Sequence, residues 1–158
     1  ISHHKCCIIE ISKSCRKIKL VDNVYNYKLG SRPLNIVNSV SDLGIIVDSD
    51  LNFSGHIASV TRKAHQRANL ILRCFISRDI GSLISAFKTY VRPIVEYNLS
   101  IWSPSLKDIL TIESVQRRFT KRLAGMSNLS YHARLKLLKL ESLELRRLRA
   151  DLQLPTCI

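Results

Sequence analysis

The chain has 158 residues, 46% of them apolar, and carries 25 Lys or Arg against 12 Asp or Glu for a formal net charge of +13. That apolar content supports a core and excludes wholesale disorder, and the length fits one domain, or part of one joined to another. The charge points to nucleic acid first and an anionic membrane surface second. No stretch approaches the roughly 18 uninterrupted apolar residues of a membrane-spanning helix, and no charged-then-apolar leader opens the chain. Secretion is therefore not indicated, and an intracellular location, nuclear or cytoplasmic, is expected.

In chain order, Cys6 to Ile11 is a short β-branched run and reads as a strand. Tyr25 to Leu29 alternate, stop at Gly30-Ser31-Arg32-Pro33 and resume from Leu34 to Val37, which predicts a hairpin with Gly30 in its turn. Leu43 to Val47, between Asp42 and Asp48, reads as another strand, with Gly44 permitting close backbone approach. Asp48, Ser49, Asp50 and Asn52 compose a loop.

After Phe53 the apolar period changes from two to about 3.6. Ser54 is a candidate N-cap for a helix to about Phe75, with Ile57, Val60, Ala64, Ala68, Ile71, Leu72 and Phe75 among its apolar positions. Arg62, Lys63, Arg67 and Arg73 fall elsewhere on that wheel. Asp79 or Ser82 caps a second helix, which Pro93 should kink or end because it removes a backbone donor. A third helix spans about Leu106 to Ala124, with Ile109, Ile112, Val115, Phe119 and Leu123 on one side and Gly125 ending it. A short fourth covers Tyr131 to Leu140, and a fifth runs from about Ser142 to Leu152. The expected class is α+β: a small antiparallel sheet over residues 1–53, a bundle of four or five helices over 54–152, and a tail at 153–158.

Candidate chemistry is sparse. Five cysteines include no C-x-x-C pair and no zinc spacing, which suits free thiols in a reducing compartment. Cys74, beside Phe75 in an amphipathic helix, reads as a packing residue. His3 and His4 near Cys6 read as a ragged strand start. Asp48 and Asp50 share a face only if the strand continues, and the turn-like composition around them argues against a metal pair. No Ser sits in a nucleophile-elbow setting. No catalytic residue, metal or cofactor is expected in the chain itself.

The basic residues say more. From Ser105 to Ala150 there are eleven Lys or Arg against four Asp or Glu. Arg117 and Lys121 are four apart, as are Arg118 and Arg122, so two basic ridges run along one helix. Like charges at that spacing cost a few tenths of a kcal/mol each unless an anion is present. These four, with Arg62, Lys63 and Arg67 as a second patch, are the candidate contacts to phosphates. Arg134, Lys136 and Lys139 divide evenly between that role and a solvated face. Arg146 and Arg147 are expected to pair with Glu141 and Glu144. Tyr90, Tyr97 and Trp102 have the ring faces to stack on bases, but their apolar neighbours make core packing the expected role.

Several stretches together resemble the region after the polymerase active site in jockey-like non-LTR (LINE-type) retrotransposon reverse transcriptases. Ile1-Ser2-His3-His4-Lys5-Cys6 before an apolar strand is similar to the segment following the catalytic aspartates, although that family often has Asn-Pro where this chain has Ser2 to His4. Asp42 to Asp48, with Leu51, Phe53, His56 and Ile57, is similar to the primer-grip strand and the entry to the thumb. Tyr90 to Tyr97, Trp102-Ser103-Pro104, Val115 to Arg122 and Leu143 to Arg149 then match in order and spacing. The likeness covers about residues 1–152, and Gln153 to Ile158 departs from it.

The resemblance implies the end of a palm domain followed by a helical thumb that binds a primer–template, either an RNA–DNA hybrid or a duplex. Leu43 and Gly44 would sit in the primer-grip-like strand, and Lys5 near the incoming nucleotide's phosphates. The paired aspartates that hold Mg in the parent enzyme would lie upstream of Ile1, in a missing polymerase domain. The expectation is therefore a fragment that binds nucleic acid without polymerising. The alternatives are a helical module for a protein or an anionic membrane, favoured by an unpartnered stripe of Leu143, Leu148 and Leu152, and a translated relic without function.

Overall fold

A computed structural model describes residues 6–11, 27–99, 101–102 and 104–153. The fold is α+β, as expected, with two compact units that divide between His56 and Ile57.

The first unit holds short strand pairs. β1 (Cys7–Ile8) pairs in parallel with β4 (Asn35–Ile36), and the Val37 N–H extends the ladder to the Ile8 carbonyl at 2.8 Å. This one pair departs from the antiparallel pairing expected, which the two hairpins keep. The stretch from Ile9 to Leu34 is long enough for the connection that parallel pairing needs. β2 (Lys28–Leu29) and β3 (Arg32–Pro33) form the expected hairpin around Gly30, which has φ +65°.

β5 (Ser39–Asp42) and β6 (Ile45–Asp48) form a second hairpin. The predicted continuous strand through Leu43 and Gly44 is thus a two-residue turn, with φ of 46° and 83°. Both values are positive because this turn type matches the twist of the flanking strands. The Ile46 N–H donates to His56 Nδ1 at 3.3 Å, so the imidazole carries its proton on the other nitrogen. Asp48 is engaged in the loop, where its carboxylate accepts from the Asn52 N–H at 2.6 Å.

Helix α1 (Ser54–Cys74) begins where the period changes, and its Ser54 N–H donates to the Asn52 side chain at 3.1 Å. The second unit takes up this helix from Ile57. Ile57, Ala64, Ala68, Ile71 and Leu72 are buried as predicted, whereas Cys74 is exposed rather than packed.

α2 (Ile80–Tyr90) is capped by Asp79, which accepts from the Ser82 N–H at 2.7 Å. The chain breaks at Val91 and restarts as α3 (Arg92–Glu96), where Pro93 occupies the first turn and its missing N–H leaves no intrahelical bond unmade. α4 (Leu106–Lys121) opens with a Ser105–Asp108 capping box and ends three residues before the predicted Ala124, with Gly125 at φ +72° beyond it. α5 (Tyr131–Leu137) is shorter than predicted, and α6 (Leu143–Gln153) follows. Phe87 of α2 and Phe119 of α4 stack with centroids 4.6 Å apart at the centre of the core.

Trp102 is fully buried and donates to the Tyr97 carbonyl at 3.2 Å, but Tyr90 and Tyr97 are about half exposed, against the core role expected of them. α2 ends at Tyr90 and α3 at Glu96, so both rings fall at helix ends outside the buried faces.

Candidate nucleic-acid interface

α1 and α4 carry the predicted cations, and the way they pack decides where those charges go. Two polar bridges join the helices along their length: His65 meets Ser114 at 3.2 Å, and the Arg122 guanidinium donates to Asn69 Oδ1 at 2.5 Å. Between them runs a groove of about 710 Å³. Its floor includes Ala68, Leu72, Val115 and Phe119, which are core residues, and its walls carry Thr61, Arg62, His65, Gln66, Asn69, Thr111, Arg118, Lys121 and Arg122.

Four of these are permanent cations and none is a carboxylate. Arg62, Arg118, Lys121 and Arg122 are all exposed, and none is in an ion pair with another described residue. The two predicted patches therefore meet in part. Arg62 joins three members of the α4 set, because α1 presents it across the groove from α4. Lys63 and Arg67 project from the next face of α1 and line a separate cleft with Gln66, Leu70 and Ile94.

Arg117 departs from the expected ridge. Its guanidinium lies 5.0 Å from the centre of the Tyr131 ring, on the side of α4 away from the groove. Arg134 is also over that ring, at 5.5 Å, and is buried. It donates to the Leu129 carbonyl at 2.9 Å and to the Arg117 carbonyl of α4 at 3.3 Å. It is therefore not a solvated residue: its guanidinium is spent on one carbonyl of α4 and one of the loop before α5.

Sequence reasoning missed the buried polar cluster behind this side of α4. Glu113 is 7% exposed and accepts from the Leu143 N–H at 2.9 Å and the Glu144 N–H at 3.3 Å, so a carboxylate on α4 caps α6. Tyr131 donates its hydroxyl to the same carboxylate. Gln116 donates to the Glu141 carbonyl at 2.9 Å and to the Tyr131 oxygen at 3.1 Å. Burial, and then the bond to Glu113, push the Tyr131 phenol well above its ordinary range. The available signal was the spacing of Glu113, Gln116 and Thr120, polar residues three and four apart on the otherwise apolar face of α4.

The acidic partners of α6 match those expected in part: Arg146 reaches Glu141 at 4.0 Å, but its nearer partner lies on α3. Arg146 forms a two-pronged pair with Glu96 at 2.5 and 3.1 Å, and Arg147 pairs with Asp151 at 3.1 Å. Leu143 is buried, while Leu145, Leu148 and Leu152 are exposed. Leu43 is 77% exposed at the hairpin turn, and Lys5 lies outside the described residues. Among the described residues no group of three or more His, Cys, Asp or Glu is placed to hold a metal ion.

No family model matches the chain, and no solved structure matches it. It is similar to a Caenorhabditis elegans protein described only as uncharacterized, with 32% identity over 104 residues that cover 63% of this chain and 52% of that protein. The chain thus spans about half the length of that relative.

Proposed function

We propose that this chain grips the phosphate backbone of a duplex or RNA–DNA hybrid through the α1–α4 groove, as the thumb-side part of a LINE-type reverse transcriptase. The observation that carries the reading is the row of Arg62, Arg118, Lys121 and Arg122 along one groove with no carboxylate among its lining residues. Cations held together without counter-charge repel one another, and a polyanion converts that repulsion into attraction while releasing its condensed counterions. The resemblance of Asp42 to Asp48, Tyr90 to Tyr97, Val115 to Arg122 and Leu143 to Arg149 adds the enzyme class. Leu43 and Gly44 would then present a hairpin tip to the primer end, and Mg would belong to the parent polymerase.

A salt titration tests the grip. Log affinity for a mixed-sequence RNA–DNA hybrid should fall with log salt by about 0.7–0.9 per neutralised phosphate. Replacing Arg62, Arg118, Lys121 and Arg122 with Gln should lower that slope by about three units on two unrelated sequences alike. An unchanged slope would show an ordinary solvated surface. Primer extension by this chain with Mg should yield no product; extension that survives purification controls would defeat that part of the reading.

One observation favours a second reading. Leu145, Leu148 and Leu152 lie three and four apart on α6 and are exposed, as a helix that docks on a partner protein would present them. No described helix is long and apolar enough to cross a membrane.

A further inference from the structure

Within the groove, α1 and α4 place neutral hydrogen-bonding groups among the cations. Thr61 is 6% exposed, lines the groove, and its hydroxyl has no partner among the described residues. A helical threonine ordinarily bonds back to the carbonyl one turn earlier, and its side chain divides between two rotamers. Turning the hydroxyl to the groove therefore requires no backbone movement.

One turn on, His65 faces Ser114. The Ser114 hydroxyl is committed to the Thr111 carbonyl at 2.7 Å, so the 3.2 Å contact requires His65 Nε2 to be the donor. The neutral imidazole consequently keeps its lone pair on Nδ1. The charged groups around it are Arg62 from α1 and Arg118, Lys121 and Arg122 from α4, and no carboxylate lines the same walls. Of those charges, Arg118 is the one that opposes protonation of the empty site.

We infer that Thr61 and His65, with Arg118, form a phosphodiester subsite in which His65 takes up a proton from solvent as the backbone anion binds. The inference rests on the reading of the groove as a phosphate grip and adds two contacts that charge alone does not identify. An anion there supplies the acceptor that the Thr61 hydroxyl lacks. It also offsets the field of Arg118, which, after burial, is what holds His65 below its ordinary value. Protonated, His65 donates from both nitrogens, keeping Ser114 and offering the second N–H to the groove.

The test is the affinity of the whole chain for an RNA–DNA hybrid, measured at constant salt between about pH 7.5 and 5.5. Wild type should tighten about three- to tenfold over that range, and His65→Gln, which can still bond Ser114, should not. Thr61→Val should weaken binding about three- to tenfold at every pH and keep the pH dependence. On unmodified protein, the NMR titration of the His65 ring should move to higher pH when the hybrid is added, which needs no variant to fold. Equal affinity at both pH values, or a His65 titration that the hybrid leaves in place, would overturn the subsite while a persisting salt slope keeps the phosphate grip. A salt slope near zero would remove the grip, and the subsite with it.

Discussion

Glu113 shows how one side chain can hold three elements. Its carboxylate is buried on α4, caps the first turn of α6 and accepts the Tyr131 hydroxyl from α5. Glu113→Ala leaves the α6 N–H groups and the phenol O–H without their acceptor at a buried site, so it should destabilise the helical unit by about 2–4 kcal/mol in urea unfolding. Tyr131→Phe removes the bonds to Glu113 and from Gln116 but keeps the ring under Arg117 and Arg134, and should cost about 1–2 kcal/mol. A smaller loss for Glu113→Ala than for Tyr131→Phe would mean that α6 is capped some other way. His65 carries the opposite kind of effect. Its folded value is depressed, so the unfolded chain binds the proton first as pH falls. Stability in the absence of nucleic acid is therefore present above about pH 6.5 and lost as pH falls below it toward the folded value. Urea midpoints near pH 7.5 and 5.5 should show that loss in wild type and a smaller one in His65→Gln.

At the scale of elements, the helices were legible because their signals are local. The change of period after Phe53, the Asp79 cap, Pro93 and Gly125 each act within one turn of the residue that carries them. The strands were less legible. β1 to β4 are two residues each, too short for alternation to declare a face, and the parallel pairing of β1 with β4 joins segments far apart in sequence. Leu43-Gly44 was misread because leucine is a poor turn residue: its side chain crowds the backbone at the φ of 46° it adopts. Leu43→Asn supplies the residue this turn type favours and should stabilise the β5–β6 hairpin by roughly 1 kcal/mol. Amide exchange at Ile45 and Val47 is the measurement. Faster exchange in the variant would mean that the leucine side chain contributes more than its backbone strain removes.

For the whole molecule the charge was plain in the composition, but its distribution was not. Periodicity placed Arg117 and Arg118 on one basic helix, and only the packing of α5 shows that Arg117 lies over Tyr131 while Arg118 faces α1. The ion pairs of the second unit gather on α3, α6 and Glu141, around Arg92, Arg146, Arg147 and Arg149. Among the described residues the cations of α1 and α4 have no such partners. Folding therefore brings uncompensated like charges together, each neighbouring pair costing a few tenths of a kcal/mol at low salt. Several such pairs sum to roughly 1 kcal/mol, which in a helical unit of this size corresponds to a rise in Tm of about 4–8 °C once the charges are screened or neutralised. Thermal unfolding should accordingly shift upward between about 50 and 300 mM NaCl, and further at low salt on addition of an RNA–DNA hybrid. Replacing Arg62, Arg118, Lys121 and Arg122 with Gln should raise Tm at low salt and remove most of both shifts. If the variant instead melts lower and keeps its response to the hybrid, the charge that matters lies elsewhere on the molecule, with Lys63 and Arg67 in the neighbouring cleft the next residues to replace.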